Sequence, residues 1–307
     1  MDCIKIFAPA TVANVGCGFD VLGFCLDNIG DIMQVSKSQT KGIKISNVTG
    51  FELPLNPKTN VAGVSALALY DTLDIDYGFD IQIEKKIKPG SGIGSSAASA
   101  AGSVFAINEL LGQPFSKTEL VQFALKGEAM ASQSEHADNL APAIFGGFTL
   151  IKNINPLQIL QLPTPEYLYA VIIHPQIEIK TSESRAILPQ SVALKDAVVQ
   201  WSNLGSLIHA LHSSNYDLIG QSLQDVIVEP HRSKLIPNYF KLKQIASDHG
   251  ALGTSISGSG PSIFSLCKGS KTARSVEANL INFMNETNLP FESYLSKINT
   301  QGVKILS

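Results

Sequence analysis

Residues 89–102 read PGSGIGSSAASAAG, a tract built almost entirely of glycine, serine and alanine. The tract follows residues 79–85, whose apolar and polar side chains alternate as they do in a half-buried strand. A helical pattern over residues 96–111 comes directly after it. Glycines let a ligand approach the backbone, and the free N–H groups at a helix start favour an anion. The tract therefore predicts a phosphate-binding loop.

The tract departs from both of the best-known phosphate-binding motifs. Walker A requires a lysine after its last glycine, and none follows Gly94. The dinucleotide fingerprint requires a third glycine where Ser95 stands. Ser95 and Ser96 are placed to cap the helix that follows. A flexible linker is the alternative interpretation, since runs of glycine and serine often have that role.

Length and composition limit the classes of protein to consider. A chain of 307 residues, of which 44% are hydrophobic, exceeds the usual size of a single core and predicts two lobes. The net charge is -3 with lysines and arginines scattered, which argues against a nucleic-acid partner. The start lacks a signal-peptide pattern and no long apolar run occurs, so we expect a cytoplasmic protein without a membrane partner. The four cysteines are expected to be reduced core thiols.

Strand and helix patterns mix along the chain, so the first half is predicted to be an α+β or α/β lobe; the α+β class is the one that the family resemblance given below implies. In the first half, strand patterns cover residues 4–7, 43–45, 79–84 and 145–151, and helical patterns cover 60–73, 96–111 and 117–131. The second half has a strand pattern at 168–174 and helical patterns at 193–212 and 216–225. A proline-rich passage, 156–165, separates the halves. We therefore expect domains at 1–160 and 161–307.

Two polar residues near the start of the chain are candidates for ligand contacts. Asn14 and Asp20 lie among small and apolar neighbours within residues 8–23. Polar groups in such surroundings are either hydrogen-bonded turn residues or ligand contacts. This segment by itself leaves both interpretations open.

Glu128 is a candidate metal ligand. It lies near the end of the helical pattern over residues 117–131. Phosphoryl transfer needs a carboxylate to hold Mg²⁺ together with nucleotide phosphates, because the metal neutralises the charge that develops. The glycine tract makes this role relevant here. An acid on a helix surface is the alternative.

The second half supplies two arginines and another glycine-rich segment. Arg185 and Arg232 each stand in a lightly charged stretch, and the arginine fork binds carboxylates bidentately. Ordinary surface ion pairs are the alternative for each. Residues 255–262 read SISGSGPS and precede an apolar strand pattern at 263–266. This segment is either a structural turn or a functional loop.

Taken together, these motifs resemble the GHMP small-molecule kinases over almost the whole chain. Residues 89–98 are similar to the phosphate loop of that family, Pro-x-x-x-Gly-Leu-Gly-Ser-Ser-Ala, with one residue fewer after the proline and Ile93 in place of leucine. Residues 257–261 are similar to its third, glycine-rich motif. Four further passages resemble the homoserine-phosphorylating branch: 8–23, 136–142, 174–189 and 228–237.

The resemblance implies a two-domain fold, with an N-terminal lobe like domain 2 of ribosomal protein S5 and a ferredoxin-like C-terminal lobe. It implies ATP as phosphate donor and Mg²⁺ held by Ser96 and Glu128. The loop that wraps the ATP phosphates would comprise Pro89, Gly90, Ser91, Gly92, Ile93, Gly94, Ser95, Ser96, Ala97, Ala98 and Ser99. The acceptor L-homoserine would be surrounded by Asn14, Asp20, His136, Arg185 and Arg232. Asp138 and Asn139 would line the site, with no base assigned to either.

The chemistry of the acceptor agrees with these residues. Homoserine carries a carboxylate, which suits the two arginines, and an ammonium, which suits Asp20. Its hydroxyl would receive the γ-phosphoryl group, giving O-phospho-L-homoserine for threonine synthesis. Two alternatives remain: another GHMP specificity, such as mevalonate or a sugar, and an inactive relative with a binding or regulatory role. A homodimer is expected as the commonest assembly.

Overall fold

The computed structural model describes residues 2–132 and 136–306. The strands of the described residues are β1 (Cys3–Ala13), β2 (Leu22–Ser38), β3 (Gly42–Thr49), β4 (Gly78–Glu84), β5 (Phe148–Ile154), β6 (Leu157–Leu162), β7 (Leu168–Pro175), β8 (Gly253–Ile256), β9 (Ile263–Lys268), β10 (Phe291–Lys297) and β11 (Lys304–Ile305). The helices are α1 (Val61–Tyr70), α2 (Ser95–Leu110), α3 (Lys117–Ser132), α4 (Leu140–Phe145), α5 (Thr181–Ala186), α6 (Leu194–Ser213), α7 (Tyr216–Ser222), α8 (Glu229–Arg232), α9 (Tyr239–Asp248) and α10 (Ser270–Glu286).

Local sequence explains the elements that lead to the glycine tract. In β4, Phe79, Ile81 and Ile83 are buried and point to one face, as the two-residue period of a strand requires. The side chain of Asn60 caps α1 by accepting a hydrogen bond from the N–H of Ala62 at 2.9 Å. Alanine, serine and glycine make up most of the first half of α2, so this helix packs closely on β1 and β2.

The first sheet has the strand order β11-β1-β2-β4-β3, and β5 extends it by pairing with β2 and β6. All of these pairings are antiparallel except that of β3 with β4, which α1 connects. Helix α2 therefore enters between the sheet and its neighbours α1, α3 and α4. This arrangement places the glycine tract at the end of β4, where the chain turns into α2.

The second sheet is antiparallel, with the order β10-β7-β9-β8. Helices α5 to α9 connect β7 to β8, and α10 connects β9 to β10. This order and these crossovers are those of a ferredoxin-like lobe. The predicted α+β class and the predicted C-terminal lobe are confirmed.

Several elements differ from the sequence-based expectation. The strand expected at 145–151 begins at Phe148, because α4 ends at Phe145 and two glycines with positive φ follow it. The longest strand, β2, was not predicted, since Asn28, Gly30 and Asp31 interrupt its apolar pattern. The passage 156–165 contains β6, and β11 returns the end of the chain to the first sheet. The division at residue 160 stays a prediction.

One hydrophobic core extends across both lobes. It includes Ala8 and Phe24 of the first sheet together with Ala170 and Ile172 of β7. A second core lies between the second sheet and helices α9 and α10. The shared core holds the two lobes at a fixed separation, so residues from both can form one site.

The cysteine prediction is correct for three residues and wrong for one. Cys17, Cys25 and Cys267 are buried free thiols, whereas Cys3 is exposed because it is the first residue of β1, beyond the part that β11 covers at Ile6 and Phe7. Within residues 2–132 and 136–306, no helix is both long and apolar enough to cross a membrane.

Candidate active site

A cavity of about 390 Å³ lies where the glycine tract meets the C-terminal lobe. Its volume is within the range of about 300–1,000 Å³ that is usual for small-molecule sites. Most of the predicted site residues line it: Asn14, Asp20, Pro89, Gly90, Gly92, Gly94, Ser95, Ser96, Ser99, Glu128, His136, Asp138, Asn139, Arg185 and Arg232. Ser91, Ile93, Ala97 and Ala98 are buried behind the loop and do not line the cavity. The structure thus gathers residues from both lobes around one space.

The glycine tract has a fixed conformation that only glycine accommodates. Gly92 has φ 81° and Gly94 has φ 70°, in the left-handed region. A Cβ at Gly92 would lie 2.5 Å from the carbonyl oxygen of Gly260, and one at Gly94 would lie 2.0 Å from Oγ1 of Thr11. The linker interpretation is therefore wrong: this loop is packed against its neighbours.

The start of α2 leaves its N–H groups free for a ligand. Gly94 is the N-cap residue, and as a glycine it has no side chain to cap the first turn. The expected serine cap is wrong, because Oγ of Ser95 donates to the carbonyl oxygen of Ile87 at 2.9 Å. Uncapped N–H groups at the start of a long helix, facing a cavity, form an anion site.

The second glycine-rich segment holds the loop in place. Oγ of Ser257 donates to the carbonyl oxygen of Gly92 at 2.7 Å, and Oγ of Ser262 donates to that of Ser91 at 2.6 Å. These bonds connect the two lobes through the loop itself. Of the two interpretations left open for residues 255–262, the structure favours a functional loop.

A buried ion pair beneath α2 was missed by sequence reasoning. Nζ of Lys85 donates to the carboxylate of Asp31, to the carbonyl oxygen of Ser95 at 2.6 Å and to Oγ of Ser99 at 2.9 Å. Burial lowers the pKa of Lys85, and the charge of Asp31 opposes that shift. The alternation of β4 carried a signal for this pair, because it places Lys85 on the same buried face as Ile83.

Glu128 and Ser96 both line the cavity and are joined by a side-chain hydrogen bond. Close packing of α3 on α1 aims Glu128 inward: a Cβ at the adjacent Gly127 would lie 2.5 Å from the carbonyl oxygen of Val61. Burial raises the pKa of Glu128, and a hydrogen bond from the Ser96 side chain opposes the shift. A carboxylate and a hydroxyl are hard oxygen ligands, and Mg²⁺ usually takes one or two carboxylates together with phosphate oxygens. The donor set therefore fits Mg²⁺.

Asn14 and Asp20 combine the two roles that the sequence left open. Both have left-handed backbone conformations, with φ 65° and 61°. Oδ1 of Asn14 accepts the N–H of Asp20 at 2.8 Å, and its Nδ2 donates to the carbonyl oxygen of Gly258 at 2.8 Å. The turn thus holds the Asp20 carboxylate at the edge of the cavity.

Arg185 forms a bidentate pair with that carboxylate. Its Nη1 and Nη2 donate to Oδ2 and Oδ1 of Asp20 at 3.1 and 2.9 Å. Nη2 is also 3.0 Å from Nε2 of His136, so that nitrogen accepts and His136 is neutral. Burial lowers the pKa of His136, with the two arginines adding to the shift and Asp20 opposing it. Nε of Arg185 is enclosed and has no partner among the described residues.

Arg232 is almost fully buried beside Arg185. It is 2% exposed, and its Nε and Nη1 donate to the carbonyl oxygens of Ser184 and Gly258 at 3.2 and 2.9 Å. Burial and the neighbouring Arg185 lower the pKa of Arg232 to about 10, so it stays cationic at neutral pH. The surface ion-pair alternative is therefore wrong for Arg232, whereas Arg185, with its side chain 40% exposed, does form an ion pair with Asp20. Both arginines line the cavity.

Asp138 and Asn139 lie at the start of α4 and line the cavity. Burial, with the carboxylates of Asp20 and Glu128 adding to it, raises the pKa of Asp138 to about 7. Oδ1 of Asn139 accepts a hydrogen bond from Oγ1 of Thr11 at 2.8 Å. Thr11 was not among the predicted site residues, since its strand position gave no signal of a ligand role.

Comparison with known proteins gives consistent matches. Residues 60–147 match the N-terminal domain of the GHMP kinases, and residues 207–286 match their C-terminal domain. The chain is 44% identical to a homoserine kinase of Chlorobium phaeobacteroides over the whole length of both proteins. It superposes on the crystal structure of homoserine kinase from Cytophaga hutchinsonii with a TM-score of 0.96 and 47% identity, covering 100% of this chain and 98% of that one.

A more distant neighbour shares only the fold. The structure of L. major mevalonate kinase in complex with R-mevalonate superposes with a TM-score of 0.73 at 16% identity, covering 96% of each chain. At that identity the likeness carries no information on the acceptor.

Proposed function

The chain belongs to the GHMP kinases, in their homoserine kinase branch, and we propose on that premise how its residues carry out the reaction. The γ-phosphoryl group of ATP is transferred to the hydroxyl of L-homoserine, giving O-phospho-L-homoserine for threonine synthesis. The observation that carries the assignment of residues is one cavity lined both by the start of α2 and by Arg185 and Arg232. The helix start suits phosphates, and the arginines, which we call the acceptor end, suit an amino-acid carboxylate.

The acceptor binds by replacing an internal ion pair. Arg185 is paired with Asp20. The carboxylate of homoserine occupies the forks of Arg185 and Arg232, and its ammonium supplies a new partner for Asp20. Because the zwitterion carries both charges, neither Arg185 nor Asp20 is left unpaired. A ligand with only one charge would leave one of these two residues without a partner.

The donor binds at the start of α2. The N–H groups of the first turn would bind the ATP phosphates, and Ser96 and Glu128 would hold Mg²⁺. When bound, the metal would neutralise charge on the transferring group. Pro54, Asn60 and Val61 line the part of the cavity that we assign to the adenosine.

Catalysis rests on orientation and charge, and we assign no base. The transition state of phosphoryl transfer is loose, so little deprotonation of the hydroxyl precedes attack. Holding the hydroxyl in line with the phosphorus contributes on the order of 7–11 kcal/mol in well-oriented systems. Asp138 lines the cavity, and burial raises its pKa to about 7. Since that pKa is compatible with either role, the kinetics of an Asp138 variant distinguish a positioning group from a base.

Phosphate transfer with the purified protein tests the proposal. ATP and Mg²⁺ are supplied with homoserine, mevalonate or galactose as acceptor, and ADP release is measured. We expect turnover with homoserine alone. Turnover with mevalonate or galactose in place of homoserine would contradict the acceptor, and ATP binding without any acceptor-dependent turnover would favour the inactive alternative.

We also propose a homodimer formed through the outer face of α6. Leu194, Val198 and Trp201 are 73%, 47% and 57% exposed, and their spacing of four and three residues puts them on one stripe. Gly205 continues the stripe and has open space around its Cβ position. Two antiparallel copies of α6 would set a large side chain of one against a small residue of the other.

Light scattering tests the dimer. Trp201→Glu should convert the dimer to a monomer, because a buried carboxylate would be unpaired. Phe240→Glu is the matched control, since Phe240 is 65% exposed on α9. A monomeric wild type, or a dimer that survives Trp201→Glu, would contradict this interface. The cytoplasmic location and the absence of a nucleic-acid partner stay predictions from the sequence.

A further inference from the structure

The ring of Phe19 lies beside both arginines of the acceptor end. Cζ of Arg185 is 5.3 Å from its ring centroid, and Cζ of Arg232 is 5.0 Å from it. Both distances are within the limit of about 6 Å for an attraction between a cation and an aromatic ring. The two arginines belong to different helices, α5 and α8, so Phe19 is a contact that they share.

Packing in a core does not account for this aromatic side chain. Phe19 is half-buried and belongs to neither core of the described residues, whereas Val21, two positions later, packs against the first. Phe19 does not line the cavity either, so it is not placed to touch the substrate. Its position is explained by the guanidinium groups that it contacts.

The two arginines are neighbouring like charges that repel each other, and the ring offsets part of that repulsion. Arg185 has the carboxylate of Asp20 as a partner at 2.9 Å. The hydrogen bonds of Arg232 go to carbonyl oxygens, not to a carboxylate. The negative face of an aromatic ring attracts both cations without adding a formal charge. The acceptor end therefore keeps its net positive charge for a substrate carboxylate.

The backbone ties Phe19 to the same frame as the acceptor residues. The next residue, Asp20, donates its N–H to Asn14. Nδ2 of Asn14 and Nη1 of Arg232 both donate to the carbonyl oxygen of Gly258. The ring thus has a fixed position relative to Arg232, and it can set the separation of the two guanidinium groups.

We propose that Phe19 is a positioning residue for the acceptor, whose ring holds Arg185 and Arg232 at the separation that one substrate carboxylate requires. The inference rests on the proposed function. Without the ring the two like charges move apart, and carboxylate binding weakens. The residues assigned to the ATP phosphates belong to the glycine tract and α2, not to α5 and α8, which carry the two arginines, so we expect nucleotide binding to be unaffected.

Steady-state kinetics with homoserine and ATP test the role. Phe19→Leu removes the ring and keeps an apolar side chain, and it should raise the KM for homoserine about tenfold with the KM for ATP changed less than about twofold. Phe19→Tyr keeps the ring and should restore the KM for homoserine to within about threefold of wild type. Phe115→Leu is the matched control: it removes a half-buried ring that contacts Phe123, and should leave both KM values unchanged.

A fluorinated ring separates attraction from packing. Trifluorophenylalanine at position 19 keeps the shape of the side chain but weakens its negative face, and should raise the KM for homoserine about threefold at an unchanged Tm. If Phe19→Leu fails to fold, the fluorinated variant still tests whether the ring positions the two arginines. Wild-type KM values for homoserine in the fluorinated and leucine proteins would overturn the inference and leave the function intact. Absence of homoserine turnover in the wild type would instead overturn the proposed function.

Discussion

At the scale of single residues, the site separates into groups that bind the acceptor and groups that act on the donor. Arg232 and Glu128 represent the two classes. Both line the cavity, and each is buried with a pKa shifted by burial. Substitutions at these two positions should therefore change different kinetic constants.

Arg232→Ala should raise the KM for homoserine by about 100-fold with a smaller effect on kcat, because it removes one of the two forks that bind the carboxylate. Arg232→Lys keeps the charge but loses the fork, so its KM for homoserine should lie between those of the wild type and Arg232→Ala. Initial rates at varied homoserine check this. An unchanged KM for homoserine would show that Arg232 does not bind the acceptor.

Glu128→Ala should lower kcat by about 100-fold and raise the Mg²⁺ concentration needed for half-maximal rate, with little change in the KM for homoserine. The reason is that Glu128 is the carboxylate we assign to the metal. Titration of activity with Mg²⁺ at saturating ATP is the measurement. The opposite pattern, a higher KM for homoserine at normal Mg²⁺ dependence, would contradict the assignment.

Asp138 makes stability depend on pH. The folded state raises the pKa of Asp138 from 3.8 to about 7, so between these values the folded protein binds more protons than the unfolded chain. The free energy of unfolding therefore falls as pH rises through this window and levels off above pH 7. Asp138→Asn removes this contribution and should gain on the order of 2 kcal/mol relative to wild type between pH 5 and pH 8.

Urea denaturation of both proteins at pH 5 and pH 8 checks the prediction. Equal pH dependence in wild type and Asp138→Asn would show that the carboxyl group titrates normally. The same variant tests the absence of a base. A loss of kcat below about tenfold fits a positioning role, whereas general-base catalysis is typically worth about 100-fold or more.

At the scale of elements, the phosphate loop depends on its contact with the second glycine-rich segment. Gly92 and Gly90 both have positive φ, but a Cβ at Gly92 would meet the backbone of Gly260, while Gly90 has nothing within 4 Å. Gly92→Ala should therefore weaken ATP binding more than tenfold or lower the Tm, whereas Gly90→Ala should have only the modest cost of a left-handed residue, about 1–2 kcal/mol.

Calorimetric titration with ATP and thermal unfolding measure both variants. Equal effects of the two substitutions would contradict the packing of the loop between the lobes. The two variants share the cost of an alanine at positive φ, so the difference between them measures the steric contact at Gly92.

At the scale of the whole molecule, residues of both lobes form the site, so ligands should stabilise the whole fold. Mg·ATP together with homoserine should raise the Tm, and at about 100 times Kd each ligand contributes roughly 2.7 kcal/mol. Differential scanning calorimetry with each ligand alone and with both measures the effect. In Arg232→Ala, homoserine should no longer raise the Tm, whereas ATP should raise it as in the wild type.

The sequence alone determined the phosphate loop and several candidates around the cavity from local patterns: the two-residue period of β4, the glycines before α2, and polar residues in unusual surroundings. Positive φ at Gly92 and Gly94 and the capping of α1 are likewise set by short segments. Such signals can be read because the residues that produce them are neighbours in the chain. The class of the fold and the remaining site residues, such as His136 and Asp138, came from the resemblance of the motifs to a known family.

Only the tertiary structure decided which residues act together. The pairing of Lys85 with Asp31, the bonds from Ser257 and Ser262 to the loop, and the position of Phe19 all join residues far apart in sequence. No local pattern reports such contacts, because they depend on how the sheets and helices pack. The burial that shifts the pKa of Asp138 arises in the same way. The physical reason is that burial and distance in a site are set by tertiary packing between residues far apart in sequence. Periodicity and turn preferences are instead set by residues that are neighbours in the sequence.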